Sequence, residues 1–350
     1  MKEMNDLFRP LDRRSFLRIS GLLGLGAATA SFVPAAAEAV SFNKKMVMVS
    51  KTRLAMGTFV SMTLLHPSKD QAEEALERAF EEMNRLSGLL SRYDQASAVA
   101  FANKEGRAQD LSPELVQVVS SALHYYSLTG GAFDITVKPV VDLFQEKLGN
   151  DKKHWPTENE VKDLLKLVDS RKVELRGNSL HFKDSGMGIT LDGIAKGFIV
   201  DRASELLAAR GIENHLINAG GDIRTRGSKE GGKPWTVAIQ DPLKRKNYPD
   251  VVKMKDGAVA TSGNYEVYFD QEKMFHHIVD PKTGFSPHLS TSVSIRAKTT
   301  MEADALATGV FVMGPEQGTR FIDGLPSCQS LVIAKDGTLL KSKGWKSQAV

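Results

Sequence analysis

One cysteine, Cys328, stands in 350 residues. That scarcity excludes an internal disulfide framework and any zinc site built from several thiolates. Surplus charge is small too: Lys+Arg at 46 against Asp+Glu at 42 leaves a formal +4, so no dense basic face for nucleic acid is demanded. No long apolar run stands near the start either. The uncharged stretch from Ile19 to Phe32 holds about 14 residues with three glycines, whereas a membrane-spanning helix takes about 20. What remains, 41% hydrophobic and 25% charged, is a globular composition long enough to bury a sizeable core.

The first forty residues are built differently from the rest. Asp12-Arg13-Arg14-Ser15-Phe16-Leu17-Arg18 carries a twin arginine, the short apolar stretch follows, and Ala37-Glu38-Ala39 offers an A-x-A cleavage site. This reads as a twin-arginine signal peptide over residues 1–39, cleaved by the export machinery, rather than a retained anchor. The expectation is a periplasmic protein, delivered by the twin-arginine translocase, whose mature chain runs from 40 to 350. An oxidising destination suits a chain with nothing to cross-link.

In the mature chain, Val47–Arg53 and Thr58–Leu65 alternate as strands do. Ser68 caps a helix with apolar positions at Ala72, Leu76, Ala79, Met83, Leu86 and Leu90. A second helix opens at Ser112-Pro113, a third at the capping box Thr157-x-x-Glu160, and a fourth spans Ile194–Arg210. A hairpin turns on Gly177-Asn178. Strands are expected at 214–219, 222–227, 235–240, 258–262, 265–269, 274–279 and 291–297, with helices at 300–312 and 316–323 and a last hairpin at Asp336-Gly337. Helices crowd the first half and strands the second, so the fold class is α+β: one domain with two lobes, mixed or antiparallel sheets flanked by helices.

Several segments carry chemistry. Gly186-Met187-Gly188 before Leu191-Asp192-Gly193-Ile194-Ala195-Lys196-Gly197 misses the dinucleotide fingerprint. A glycine-rich turn feeding a helix start nevertheless offers N–H groups to an anion, with Lys196 in the first turn suited to phosphate; a tight turn beside a surface lysine is the plainer account. Asp304 and Thr308 stand at i and i+4, so their oxygens share one helix face, either for Mg²⁺ or as a solvated polar stripe. His276 and His277, adjacent on a strand, face opposite sides, which allows one a pocket and the other solvent; a hydrogen-bonded structural histidine is the plainer account. Asp134, at an expected strand start after Ala132-Phe133, either accepts from a ligand or caps its turn. Thr261-Ser262-Gly263 beside Tyr265 suits a wall for a flat heteroaromatic ligand, or an ordinary strand end.

The order and wording of these segments match a family. From Met56 to about Gly314 the chain resembles the ApbE-type flavin transferases. The matching segments are Met56-Gly57-Thr58, Ser91-Arg92-Tyr93, Gly131-Ala132-Phe133-Asp134, Asp192-Gly193-Ile194-Ala195-Lys196-Gly197, Asn218-Ala219-Gly220-Gly221-Asp222, Thr261-Ser262-Gly263, His277-Ile278-Val279-Asp280-Pro281 and Asp304-Ala305-Leu306-Ala307-Thr308.

The resemblance implies an ApbE-like fold that binds FAD with Mg²⁺ and transfers FMN to a Ser or Thr hydroxyl of an acceptor protein, releasing AMP. Met56, Tyr93, Ala132, Phe133, Asp134, Lys196 and Val279 would then line FAD, with Asp192 and Thr261 as further contacts. Asp304, Thr308 and the carbonyl near Gly193 would hold Mg²⁺. The chain departs from the pattern at Thr190, where many members carry an acid that here stands at Asp192, and at Ala307. His277 is the expected base for the acceptor hydroxyl, with Asp304 acting through the metal sphere as the other choice. The implied acceptor is an exported domain of a membrane redox complex bearing a Ser/Thr flavinylation motif. Two other functions use the same residues: an FAD pyrophosphatase giving FMN and AMP, and an exported FAD carrier or maturation factor without turnover.

Overall fold

The computed structural model describes residues 40–42, 46–148, 155–242, 248–265 and 276–347. The expected leader over 1–39 lies outside them, as do residues 266–269 and 274–275 of the strands expected at 265–269 and 274–279; the described residues 276–279 form a single bridge and a bend instead of the expected strand.

The chain opens with β1 (Val40–Phe42), β2 (Met46–Ala55) and β3 (Thr58–His66). Helices α1 (Lys69–Leu90) and α2 (Ala98–Glu105), the short strand β4 (Arg107–Ala108), and helices α3 (Pro113–Leu128), α4 (Lys138–Leu148) and α5 (Glu158–Leu165) follow. Next come β5 (Val173–Arg176), β6 (Ser179–Phe182), α6 (Ala195–Ala209), β7 (Asn214–Ala219), β8 (Asp222–Arg226), β9 (Trp235–Ile239), β10 (Asp250–Met254), β11 (Gly257–Gly263) and β12 (Ser290–Ala297). Helices α7 (Thr300–Met313) and α8 (Pro315–Asp323) and strands β13 (Gln329–Ala334) and β14 (Leu339–Lys341) complete the chain.

Caps fix the helix starts where the sequence placed them. Ser68 accepts from the Gln71 amide, Ser112 from Leu115, and Thr157 and Glu160 form a reciprocal capping box. Two helices are not legible from periodicity: α2 is only eight residues long, and α4 follows directly on a 3₁₀ turn over Ile135–Val137. Asp134 therefore opens a helical turn, not a strand. Its carboxylate accepts from the Thr136 amide, and that local bond competes with extended structure.

One nine-stranded sheet organises the molecule, in the order β1-β2-β3-β7-β8-β11-β12-β13-β14. Every described pairing within it is antiparallel. Smaller sheets join β10 to β9 and β4-β6-β5. Helices α1, α6 and α7 pack on the large sheet and on one another, and the main core lies between the layers. Successive strand residues point to opposite faces, so Ala260 joins that core while Val259 joins a second cluster with Val237, Val252 and Trp345. A third cluster ties α4 and α5 to the 279 loop through Val140, Val141, Phe144, Val161 and Val279. The α+β architecture expected from the sequence is the one observed. Among the described residues, no helix is long and apolar enough to cross a membrane.

Candidate active site

A cavity of about 580 Å³ opens where strand ends, the α6 N-terminus and the 132–137 and 277–279 segments meet. Every site residue expected from the sequence lines it: Met56, Tyr93, Ala132, Phe133, Asp134, Asp192, Gly193, Lys196, Thr261, His277, Val279, Asp304 and Thr308.

Two tight hairpin turns build one wall. In the first, Ala55 pairs with Thr58 and both intervening residues are left-handed, Met56 at φ 51° and Gly57 at φ 72°. Two such residues suit a two-residue hairpin turn, yet the first is a methionine, whose Cβ makes this conformation costly. In the second, Gly220 (φ 61°) packs so closely that a Cβ there would stand 2.5 Å from Thr58 Oγ1. The adjoining pair Val60–Ala219 locks the turns together, bringing Met56 to the cavity and Asp222 beneath it.

The crossing of α6 and α7 builds another part of the lining. A Cβ on Gly197 would meet the Thr300 carbonyl oxygen at 2.4 Å, so only glycine allows the helices this near. Each helix then caps the other. The Gly197 amide donates to Asp304 Oδ2 at 3.0 Å, and the Thr300 and Met301 amides donate to the two Asp201 oxygens, both at 2.9 Å. α6 has no side-chain cap of its own at Ile194; the carboxylate from α7 supplies one.

Asp304 is buried, and burial together with the nearby Asp222 carboxylate pushes its carboxyl well above the usual range. Lys196 and the Gly197 amide act the other way. Lys196 Nζ lies 3.3 Å from Asp222 Oδ2, so the expected phosphate-facing lysine is partnered from below. Thr308, one turn beyond Asp304, lies 3.3 Å from the Ser262 hydroxyl, and a Cβ at Gly193 would stand 3.1 Å from its Oγ1.

Asp134 is buried, and burial raises its carboxyl. Its oxygens take four bonds, from the amides and hydroxyls of Thr136 and Ser170. The side chain serves as the cap of its turn and as a brace to the 170 segment. Thr261 Oγ1 lies 2.8 Å from Ser294 Oγ. Of the paired histidines, His277 lines the cavity, but His276 does not face solvent. It is fully buried, edge-on to Phe311 at 5.5 Å, with Nε2 3.1 Å from the Pro287 carbonyl. Its segment bends into a turn here instead of continuing as a strand.

Sequence reasoning missed several contributors, among them Val141 and Gln145 on α4 and three more. Arg92 is buried beside the cavity, and Leu54 and Phe59, a cross-strand pair, stand exposed at its rim. The rim pair is a break in inside-outside alternation near a turn, a weak but readable signal. Nothing local marks Arg92 as buried, because its acidic partners, Asp142 and Asp192, are 50 and 100 residues away.

Residues 56–332 match the profile of the ApbE family. The FAD:protein FMN transferase of Vibrio cholerae serotype O1 is 34% identical over 253 residues, covering 69% of this chain and 73% of that protein. The enzyme of the same name from Treponema pallidum is 32% identical over 318 residues, covering 84% and 87%. The crystal structure of the ApbE protein from Thermotoga maritima superposes with a TM-score of 0.78 at 30% identity, over 85% of this chain and 97% of that one. Family profile, relatives and fold agree: this chain belongs to the ApbE family.

Proposed function

We infer that this chain is an FAD:protein FMN transferase, moving FMN from FAD to a hydroxyl of an acceptor protein, as its relatives' shared name describes. The single observation that carries the reading to these residues is the convergence of Asp304, Thr308, Gly193 and Lys196 on one cavity that the aromatic and apolar side chains of Phe133, Tyr93 and Val279 also line.

Magnesium fits the donor set. The described residues hold no cluster of three or more His, Cys, Asp or Glu side chains suited to a metal. Mg²⁺ typically takes only one or two carboxylates and fills its sphere with phosphate and water. Asp304, Thr308 and the backbone at Gly193 are hard oxygen donors for it, and a second positive charge would offset the crowding of Asp304 and Asp222. When bound, the ion would neutralise charge building on the pyrophosphate.

The protein's own residues do the rest. Lys196, at the α6 N-terminus, presents a cation to the phosphates. The acceptor hydroxyl oxygen attacks the FMN phosphorus, the phosphorus–oxygen bond to AMP breaks, and His277 takes the hydroxyl proton. Residues 1–39 would direct the chain through the twin-arginine translocase to the periplasm, where exported domains of membrane redox complexes are the fitting acceptors.

The test incubates the protein with FAD and Mg²⁺, with and without an acceptor domain bearing a Ser/Thr flavinylation motif. Flavin fluorescence that stays on the denatured acceptor supports transfer. AMP release without acceptor, and no labelled acceptor, would replace transfer with hydrolysis; FAD binding without either product would leave a carrier. Replacing Arg13-Arg14 by lysines should hold the protein in the cytoplasm, and export unchanged by that substitution would refute the leader.

A further inference from the structure

Arg92 follows the end of α1 and keeps only 3% of its side chain exposed. A buried guanidinium needs its charge met and its donors filled. Nη1 donates to Asp142 Oδ1 on α4 at 2.5 Å, and Nη2 donates to the Tyr93 hydroxyl at 2.7 Å. Nε takes no hydrogen bond but lies 3.5 Å from Asp192 Oδ2, in the loop before α6, so Asp192 is held by charge alone. The guanidinium carbon also sits 4.5 Å from the centre of the Tyr93 ring. Asp142 is itself held, since Lys138 Nζ donates to its other oxygen at 2.5 Å.

Tyr93 and Asp192 both line the cavity, and both are largely exposed, Tyr93 at 61% and the Asp192 side chain at 56%. Packing alone therefore does not hold either of them. A tyrosine in the bend after α1 and an aspartate in a loop would each sample several rotamers. One guanidinium, anchored from behind by Asp142, reaches both.

We propose that Arg92 is a positioning residue for substrate binding: it holds the Tyr93 ring and the Asp192 carboxylate in a fixed relation. Together they present an aromatic face and an adjacent hydrogen-bond acceptor to a flat heteroaromatic ring of the dinucleotide. The inference rests on the reading that this cavity holds FAD. Lysine cannot substitute, because a single ammonium lacks the planar fork that reaches three partners at once.

The test measures FAD binding by flavin fluorescence quenching, and KM and kcat for transfer, in wild type, R92K, D192N and R92K/D192N. With the melting temperature kept, R92K should raise Kd and KM for FAD about tenfold while kcat changes less than about threefold. The double variant should bind FAD no more weakly than the weaker single variant, because the two residues act as one unit. R92Q replaces R92K in the same cycle if the lysine variant does not fold. Binding by R92K within about twofold of wild type, multiplying losses in the double variant, or a fall in kcat at unchanged Kd would each overturn the proposal. Failure of the wild type to bind FAD would instead overturn the functional reading beneath it.

Discussion

The Gly197 amide donates to Asp304 Oδ2 at 3.0 Å, so the first turn of α6 is capped by a carboxylate 107 residues further along the chain. That bond needs the helices to cross with almost no side chain between them. Gly197→Ala puts a methyl group 2.4 Å from the Thr300 carbonyl oxygen, a backbone atom that cannot rotate away. Overpacking of this kind costs about 1–3 kcal/mol and sometimes more. The variant should unfold at lower urea concentration and bind FAD more weakly; unchanged values of both would show that the crossing opens freely.

Asp304→Asn keeps an oxygen for the Gly197 amide but removes the charge. Its fold should survive while Mg²⁺ no longer raises its melting temperature, as a ligand that binds only the native state otherwise does. Flavin transfer to the acceptor should fall about 100-fold or more. Transfer at wild-type rate, with Mg²⁺ still stabilising the variant, would remove Asp304 from the metal site.

His277→Asn should keep FAD binding and slow the transfer step by about 10²–10⁴-fold, the usual loss on removing a general base. Single-turnover labelling of the acceptor separates the two effects. Equal losses in binding and rate would make His277 a substrate contact instead.

Met56 holds φ at 51° in its turn. Asparagine tolerates that region better, and Asn-Gly is a favoured pair for such hairpins. Met56→Asn should raise stability by about 1 kcal/mol in denaturant titration and weaken FAD binding. Unchanged stability would show that the turn carries no strain, and unchanged FAD binding would remove Met56 from the contacts.

His215 provides the pH dependence. It is fully buried, with Nδ1 2.8 Å from the Ile212 carbonyl and Nε2 2.7 Å from the Ser204 hydroxyl. The carbonyl can only accept, so Nδ1 carries the proton and neutral Nε2 accepts from Ser204. Burial lowers its pKa to about 4 from an ordinary 6.5. Below 6.5 the unfolded chain takes up a proton that the folded chain refuses, so stability falls between pH 6.5 and pH 4, by about 3 kcal/mol in all. His215→Gln should flatten that window relative to wild type; parallel curves for the two proteins would assign the dependence to other groups.

Much of the fold was written locally. Ser68, Ser112-Pro113, Thr157-x-x-Glu160 and Gly177-Asn178 act within a few residues of themselves, and each sits where its capping or turn chemistry requires. The α2 and α4 helices did not announce themselves, since eight residues give too few turns for a period and α4 emerges directly from a 3₁₀ turn. His276 and His277 show the same limit. Alternation separates their faces, but the turn that buries one and opens the other depends on Phe311 and Pro287, which lie beyond any local pattern.

By itself, the sequence determined the α+β class, the family and many of the side chains that line the cavity, because residue type and ordered spacing carry that information. Tertiary structure alone decided how those side chains are held. Asp304 capping α6, Asp222 beneath Lys196, and Arg92 reaching Asp142, Tyr93 and Asp192 are contacts between segments remote in sequence. Their strength comes from burial and close approach, which exist only once the helices have crossed and the hairpin turns have packed.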